Sequence, residues 1–376
     1  MTTQEILARM QEVIDHPNQY VIKWKSIHGG KAIGLMPPFC PAEIVHAAGA
    51  LPMGLWGASI EPEDSGKYYP AFYCSILTTV LELGLHGKYD ELDAVICSTI
   101  CDGLKNMIEN WKSSVKNIEM IGFVLPHNRK LDCAMDFLVE EYINVRDRVE
   151  AVTGRKITDF SLARSIKVYN AHRAVMRKFS EVACDHLDII TPTNRHIVYK
   201  SAHLMSVEEH IALVEELIAN LQKEPVYTFE GIKLLVTGII LDLPDLLKSL
   251  EENKIAIVGD DLLQESMQYT TDVPEGIEPL RRLAHRWQNM EGACVIFDPQ
   301  KSRAQLMIEM AQQRGADGIL VCILKFCEPD EFDYPIIKKK FDAAGIPSLY
   351  IEIETQSKND QQAATRIQAF REMLGK

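Results

Sequence analysis

Three cysteines, Cys74, Cys101 and Cys327, each stand directly before a segment with the pattern of a helix, in Tyr73-Cys74-Ser75, Ile100-Cys101-Asp102 and Phe326-Cys327-Glu328. A helix N-terminus offers unpaired N–H groups and the positive end of the backbone dipole, so it lowers a thiol pKa and tolerates an anionic metal cluster. Three such thiols from distant parts of one fold would make an incomplete cage for an iron–sulfur cluster. Their spacing matches neither a compact ferredoxin pattern nor a zinc-finger pattern. The reading therefore rests on the shared local setting and on a predicted convergence in space.

The remaining cysteines, Cys40, Cys97, Cys133, Cys184, Cys294 and Cys322, read as core residues, the commonest role of a free Cys. Cys97 and Cys322 precede Cys101 and Cys327 by a few extended residues, which sets them too far back for the same cage. A nucleophilic thiol is the competing chemistry, with Cys101 beside His46 or His127, but three thiols at one cleft do not suit acyl transfer. His46 closes a predicted helix in Ile44-Val45-His46-Ala47-Ala48-Gly49 and reads as a capping or core residue. The glycines do not form a nucleotide loop: Gly29-Gly30-x3-Gly34 precedes its strand, Gly54-x2-Gly57 lacks the fingerprint helix, and no Walker-type run is present.

The elements that must position these thiols occur twice. Lys31–Leu35 (strand), Pro41–Gly49 (helix) and Ala50–Leu55 (strand) are matched by Lys233–Ile240, Leu243–Asn253 and Lys254–Gly259. Further on, the apolar strand Leu92–Ser98 leads to Cys101, a helix and the strand Ile118–Val124. Gly318–Leu324 likewise leads to Cys327, a helix and the strand Ile346–Ile353. Strands alternating with helices predict right-handed crossovers and parallel sheets, whose ligands sit beyond the carboxyl ends of the strands, where Cys101 and Cys327 fall. Cys74 lies on the second-to-third-strand crossover of the first half.

Between the halves, Leu131–Val152 and Phe160–Cys184 carry apolar residues at helical spacing, and Ser206 with Glu209 gives a capping-box signal for a helix running to Gln222. Pro192 and Pro225 punctuate this section. The expected fold is α/β: two similar open parallel-sheet domains, flavodoxin-like or Rossmann-like, over residues 1–130 and 227–376, with a helical section over 131–226.

The chain has 376 residues, a formal net charge of −13 and 53 acidic against 40 basic side chains. That balance argues against nucleic acid or an anionic membrane as partner, and Lys338, Lys339 and Lys340, the longest basic run, read as a solvated helix face. Met1–Val13 has the pattern of a polar amphipathic helix rather than a secretory leader, and no apolar run approaches the roughly 20 residues of a membrane span. A cytoplasmic location is expected, where nine cysteines point to metal or redox chemistry rather than disulfides.

Over nearly its whole length the chain resembles the 2-hydroxyacyl-CoA dehydratase family, which also contains benzoyl-CoA reductase. The resemblance is carried by Pro41-Ala-Glu-Ile-Val-His-Ala-Ala-Gly-Ala-Leu-Pro52, Phe72-Tyr-Cys-Ser75, Cys101-Asp102, and most specifically Lys325-Phe-Cys-Glu-Pro-Asp-Glu-Phe-Asp-Tyr-Pro335. It is to the smaller, beta-type subunit of the dehydratases of amino-acid fermentation, with two departures: Glu328 stands where Asp is more usual, and Gly103 where Thr is commoner.

The resemblance implies that Cys74, Cys101 and Cys327 bind one [4Fe–4S] cluster whose fourth iron takes a non-protein ligand. It implies a heterodimer with a larger, homologous subunit that has its own cluster and holds the acyl-CoA substrate, and a separate ATP-dependent iron–sulfur activator that supplies one low-potential electron. The implied reaction removes water anaerobically from an (R)-2-hydroxyacyl-CoA to give the (E)-2-enoyl-CoA. One-electron reduction of the thioester carbonyl to a ketyl makes C2 electron-rich enough to expel hydroxide, after which the C3 proton becomes acidic. This chain would relay the electron, with Phe72, Tyr73 and Phe326 beside the thiols either excluding water or serving as ordinary core aromatics. The alternatives are a subunit of a benzoyl-CoA-reductase-like enzyme and a non-catalytic iron–sulfur carrier or scaffold. The acyl chain, the fourth iron ligand and a general base are not assigned; Glu43 and His46 are only near the relevant motif.

Overall fold

The computed structural model describes residues 1–356 and 361–375. The first half contains α1 (Thr3–Asp15), α2 (Pro17–His28), β1 (Ala32–Leu35), α3 (Ala42–Ala47), β2 (Leu51–Gly54), α4 (Ser75–Leu85), β3 (Ala94–Ser98), α5 (Asp102–Ser114) and β4 (Glu119–Phe123). The helical section follows as α6 (Asp132–Thr153), α7 (Asp159–Val182), α8 (Pro192–Ser201) and α9 (Val207–Leu221). The second half contains β5 (Ile232–Gly238), α10 (Pro244–Glu252), β6 (Ile255–Asp260), α11 (Pro279–Asn289), α12 (Ser302–Arg314), β7 (Gly318–Leu324), α13 (Glu328–Ala343), β8 (Ser348–Ile353) and α14 (Gln361–Met373).

Each half builds a four-stranded, wholly parallel sheet, ordered β2-β1-β3-β4 and β6-β5-β7-β8. The repeat legible in the sequence is thus a repeat of topology. Every residue of β3 and of β7 is buried, as expected of strands covered on both faces by crossover helices. In both sheets the chain turns one way to its second strand and the other way to its third, which opens a crevice at the carboxyl ends of the first and third strands.

Several boundaries and partners differ from expectation. The helix expected to reach Cys184 ends at Val182, and residues 183–185 form a tighter 3₁₀ turn. Only half of the expected capping box forms at α9. Ser206 Oγ accepts from the Glu209 N–H, but the Glu209 carboxylate is taken by the Tyr20 hydroxyl (2.6 Å) and Arg9 (3.0 Å), while the Ser206 N–H donates to that same hydroxyl. Tertiary partners on α1 and α2 have replaced the local reciprocal bond, and α1 packs on α8 and α9. The lysine run lies on α13, where Lys338 pairs with Asp342 and Lys340 caps the carbonyls of Gln300 and Lys301. Among the described residues no helix is long and apolar enough to cross a membrane.

Charge inside the molecule is concentrated where α8 meets the second sheet. Arg195 binds Glu265 (2.6 Å) and Asp260 and lies 4.4 Å from the Tyr199 ring centroid. Next to it, both ring nitrogens of His196 face carboxylates, Nδ1 toward Glu265 (2.9 Å) and Nε2 toward Asp242 (3.1 Å). Burial disfavours the imidazolium, but Asp242 and Glu265 outweigh it and raise the His196 pKa to about 9. The folded value lies above the ordinary one, so the stability this group contributes is complete below about pH 6.5 and is lost as pH rises through about 9. Melting temperature should therefore fall between pH 7 and pH 9.5 in the native chain and fall less in His196→Gln. Parallel pH profiles for the two proteins would contradict this assignment.

Candidate metal centre

Cys74, Cys101 and Cys327 are the N-cap residues of α4, α5 and α13, the positions at which a side chain faces the unpaired N–H groups of a first turn. Cys101 lies beyond the carboxyl end of β3 and Cys327 beyond that of β7, and the two sites are topologically equivalent. All three thiols are partly buried. Cys74 is close enough to Cys101 for the second thiolate to disfavour the first, and Cys327 feels Cys74 in the same way, so thiols from both halves share one electrostatic neighbourhood. The halves are fastened at this place. The Thr355 N–H donates to Ser75 Oγ (2.9 Å), and buried Arg129 donates to the Met290 carbonyl through Nε (3.1 Å) and Nη2 (2.6 Å).

The thiol electrostatics differ from the expectation set by helix ends alone. Burial pushes Cys74 up to about 12, against the backbone N–H groups of Leu77 and Ile76 that favour its thiolate. Burial likewise raises Cys101 against Leu104 and Gly103, and raises Cys327 against the Asp330 N–H. Desolvation exceeds the dipole here because, among the described residues, no basic side chain bonds to any of the three sulfurs. As free groups these are neutral thiols. A metal centre bound among them would deprotonate them outright, and the thiolates would then accept from those N–H groups.

The donor set and its spread test what could be held. Among the described residues, the one group that brings three ligand-type atoms within 4.8 Å of each other is Asp64, Glu82 and His86, so the three thiols are too far apart to chelate a single ion. An all-sulfur set offered by three helix N-termini has the donor chemistry of an anionic iron–sulfur group.

Beneath Cys327 lies a feature not read from the sequence. Arg303, 3 % exposed, donates to Asp261 (2.8 Å), to Asp330 on the first turn of α13 (2.7 Å) and to Thr237 Oγ1 (2.7 Å). Burial still lifts the Asp330 carboxyl above its usual range, and its Oδ2 has no hydrogen-bond partner. Cys294 adjoins this network and raises Cys327 further, so it is buried as expected but is also a fourth thiol beside the candidate ligands.

The other expectations divide as follows. Cys97 and Cys322 lie fully buried within β3 and β7, as read; Cys322→Ala should leave iron content unchanged, and loss of iron in an anaerobic assay would show the ligand to be misassigned. Cys133 was expected in the core and is exposed, because it is the second residue of α6 and faces away from the side that buries Ala134, Met135 and Leu138. Phe72 is 66 % exposed, which excludes a core role for it; Tyr73 does pack, with Tyr69 (4.7 Å between centroids). His46 bonds Ser165 (2.9 Å) and Glu208 (2.8 Å), ties α3 to α7 and α9, and makes no pair with Cys101. Glu43 is buried against Arg173; burial opposes its charge, but Arg173 and Arg286 hold the carboxyl below its usual range, so it is an ion-pair partner rather than a poised base. At Gly103 a Cβ would meet Leu77 Cδ1 at 2.5 Å, with Cys101 Sγ at 3.8 Å, so Leu77 fills the space that a larger residue would take beside the thiol.

Fold and site define a two-sheet α/β protein that presents three cysteines at helix N-cap positions, drawn from both halves. The chain belongs to the family described as "2-hydroxyglutaryl-CoA dehydratase, D-component", whose model matches residues 37–374. It is 46% identical to the (R)-phenyllactyl-CoA dehydratase beta subunit of Clostridium sporogenes, over 97% of each chain. It is 43% identical to the lactoyl-CoA dehydratase subunit beta of Anaerotignum propionicum, over 99% of each. To the (R)-2-hydroxyglutaryl-CoA dehydratase subunit beta of Acidaminococcus fermentans it is 34% identical over the full length of both.

Proposed function

We propose that this chain is the beta subunit of a radical 2-hydroxyacyl-CoA dehydratase, and that Cys74, Cys101 and Cys327 bind one [4Fe–4S] cluster used to relay single electrons. Its standing as a dehydratase subunit, a hydro-lyase component, follows from the family and from full-length identity to three dehydratase beta subunits. The cluster is supported by one observation above the others: three partly buried cysteines occupy the N-cap positions of three helices from both halves and sit within electrostatic reach of one another. When bound, such a group supplies reversible one-electron transfer at low potential.

The chain's own residues then have definite tasks. Cys74 and Cys101 come from the proposed unit 1–130 and Cys327 from the proposed unit 227–376, so binding needs both units in place. The N–H groups of Leu77, Leu104 and Asp330 stabilise the thiolates. Leu77 and the Tyr69–Tyr73 pair keep water from one flank. Phe72 and Phe332, 66 % and 79 % exposed and close in sequence to Cys74 and Cys327, provide an apolar rim that a larger partner subunit would cover. With Glu43 paired to Arg173 and His46 bonded to Ser165 and Glu208, the substrate chemistry is assigned to that partner, and the electron to an ATP-dependent activator.

The test is reconstitution. The chain, a larger homologous subunit and an ATP-driven iron–sulfur reductant should together convert an (R)-2-hydroxyacyl-CoA to its enoyl-CoA, with (R)-phenyllactyl-CoA and lactoyl-CoA as first substrates, and omission of any component should stop turnover. Turnover by the chain alone, or none with the complete set, would contradict the proposal.

A further inference from the structure

A cavity of about 110 Å³ is walled by residues of both halves and of the helical section: Phe39 beyond β1, Trp56 beyond β2, His172 and Arg173 on α7, Tyr269 beyond β6 and Arg286 on α11. Cys74, Cys101 and Cys327 are not part of its wall, so it is separate from the thiol centre. Cavities of ~150 Å³ hold a molecule the size of benzene, so this one has room for about five or six heavy atoms.

The charged residues of the wall do not balance. Glu43 accepts from Arg173 Nη2, and Arg286 is left as a second, largely buried guanidinium with no carboxylate bonded to it among the described residues. Arg286 is held by carbonyls instead: its Nε donates to Thr271 (2.9 Å) and its Nη2 to Gln268 (2.9 Å), while its Nη1 has no partner among the described residues. Asp272, which also acts on Arg286, is taken by both Nη groups of Arg177. Burial and the nearby Arg173 lower the Arg286 pKa to about 10, so it remains a cation at neutral pH. The two histidines of the wall, His172 and His203, add no charge, because burial holds both neutral. Two guanidinium groups against one carboxylate leave an excess of one positive charge, which a bound monoanion would offset.

A chain of two histidines fixes what else the ligand must bring. His210 Nε2 faces the Val198 carbonyl (3.0 Å), which can only accept, so the proton of this neutral ring is on Nε2 and its Nδ1 is an acceptor. His172 Nε2 lies 2.8 Å from that Nδ1 and must donate to it, which leaves Nδ1 of the neutral His172 ring as an acceptor too. This nitrogen has no hydrogen-bond partner among the described residues, and unlike Nδ1 of His186 it is not sealed in; its ring is 4 % exposed and lines the cavity. The ligand is therefore a monoanion that carries one hydrogen-bond donor, with a short carbon skeleton to lie against Phe39, Trp56 and Tyr269. We infer that the cavity binds a small hydroxycarboxylate, its carboxylate on Arg286 and its hydroxyl donating to His172 Nδ1. The inference does not depend on the dehydratase reading: the ligand is a free acid and the site is apart from the thiols.

The probe is racemic lactate, titrated by calorimetry at neutral pH and without oxygen into the full chain, both as purified and after removal of iron. Saturable binding of equal affinity in the two forms is expected. Propionate, which lacks the hydroxyl, should bind about tenfold more weakly, the worth of one hydrogen bond to a buried acceptor. Lactamide, which lacks the charge, should not compete. Arg286→Met should abolish binding of lactate and propionate alike. His172→Phe should bring lactate down to the level of propionate and leave propionate unchanged, a pattern that general loosening of the fold does not produce. Because the three ligands are first compared on the native chain, a variant that fails to fold does not remove the test. Absence of saturable lactate binding, equal affinity for lactate and either analogue, or a preference for lactate over propionate that survives His172→Phe overturns the inference. Binding confined to the iron-containing chain would put the hydroxycarboxylate on the metal and overturn it as well.

Discussion

Replacing Cys101 or Cys327 by serine is expected to remove the bound iron, from about four atoms per chain to near zero, while leaving far-UV circular dichroism close to that of the native chain. The two expectations belong together for a physical reason. Each residue is an N-cap whose side chain makes no capping hydrogen bond in this structure, and serine is a favourable N-cap, so the helices α5 and α13 should persist or gain slightly. What is lost is a soft thiolate, which a hydroxyl does not replace toward iron. Iron analysis and the visible charge-transfer absorption after anaerobic reconstitution check the claim. Full iron and full absorption in either variant would remove that cysteine from the ligand set.

The second large effect concerns Arg303. Converting it to methionine keeps much of the volume but leaves Asp261 and Asp330 buried without their cation, and breaking a buried pair of this kind costs about 3–5 kcal/mol. Urea denaturation of the iron-free chain should show a loss of that size. A control at an exposed pair, Lys112→Ala beside Glu109, should stay within about 0.5 kcal/mol. Because Asp330 lies in the first turn of α13 and its N–H favours the Cys327 thiolate, Arg303→Met should also reduce iron retention. A loss below about 1 kcal/mol would mean that solvent or local rearrangement compensates the two carboxylates.

Much of the fold was legible because parallel strands are written as short apolar runs, and their order of succession was the same in both halves. The thiol positions were legible as well: all three cap the helices expected to follow them. The chain also carries a further helix in its local pattern. α11 carries Leu280, Leu283, Ala284 and Trp287 at helical spacing, and it packs against α6 and α7. Much of the rest depended on partners distant in sequence. Nothing local to Ser206 predicts that Tyr20 will take over its capping box, and nothing near Arg303 predicts that it will bridge Asp261 and Asp330. The balance between burial and helix dipole at the thiols was likewise illegible, because desolvation depends on what surrounds a sulfur in three dimensions. Cys133 fails for the same kind of reason, since its side of α6 is set by packing that its immediate neighbours do not reveal.

The central claim is that this chain itself binds a [4Fe–4S] cluster through Cys74, Cys101 and Cys327. The most direct measurement is iron and acid-labile sulfide, with electron paramagnetic resonance after reduction, on chain purified without oxygen. The account predicts about four of each per chain and a reduced-state signal, all lost in Cys327→Ser. Iron-free protein that resists reconstitution would contradict it and return the three cysteines to the fold.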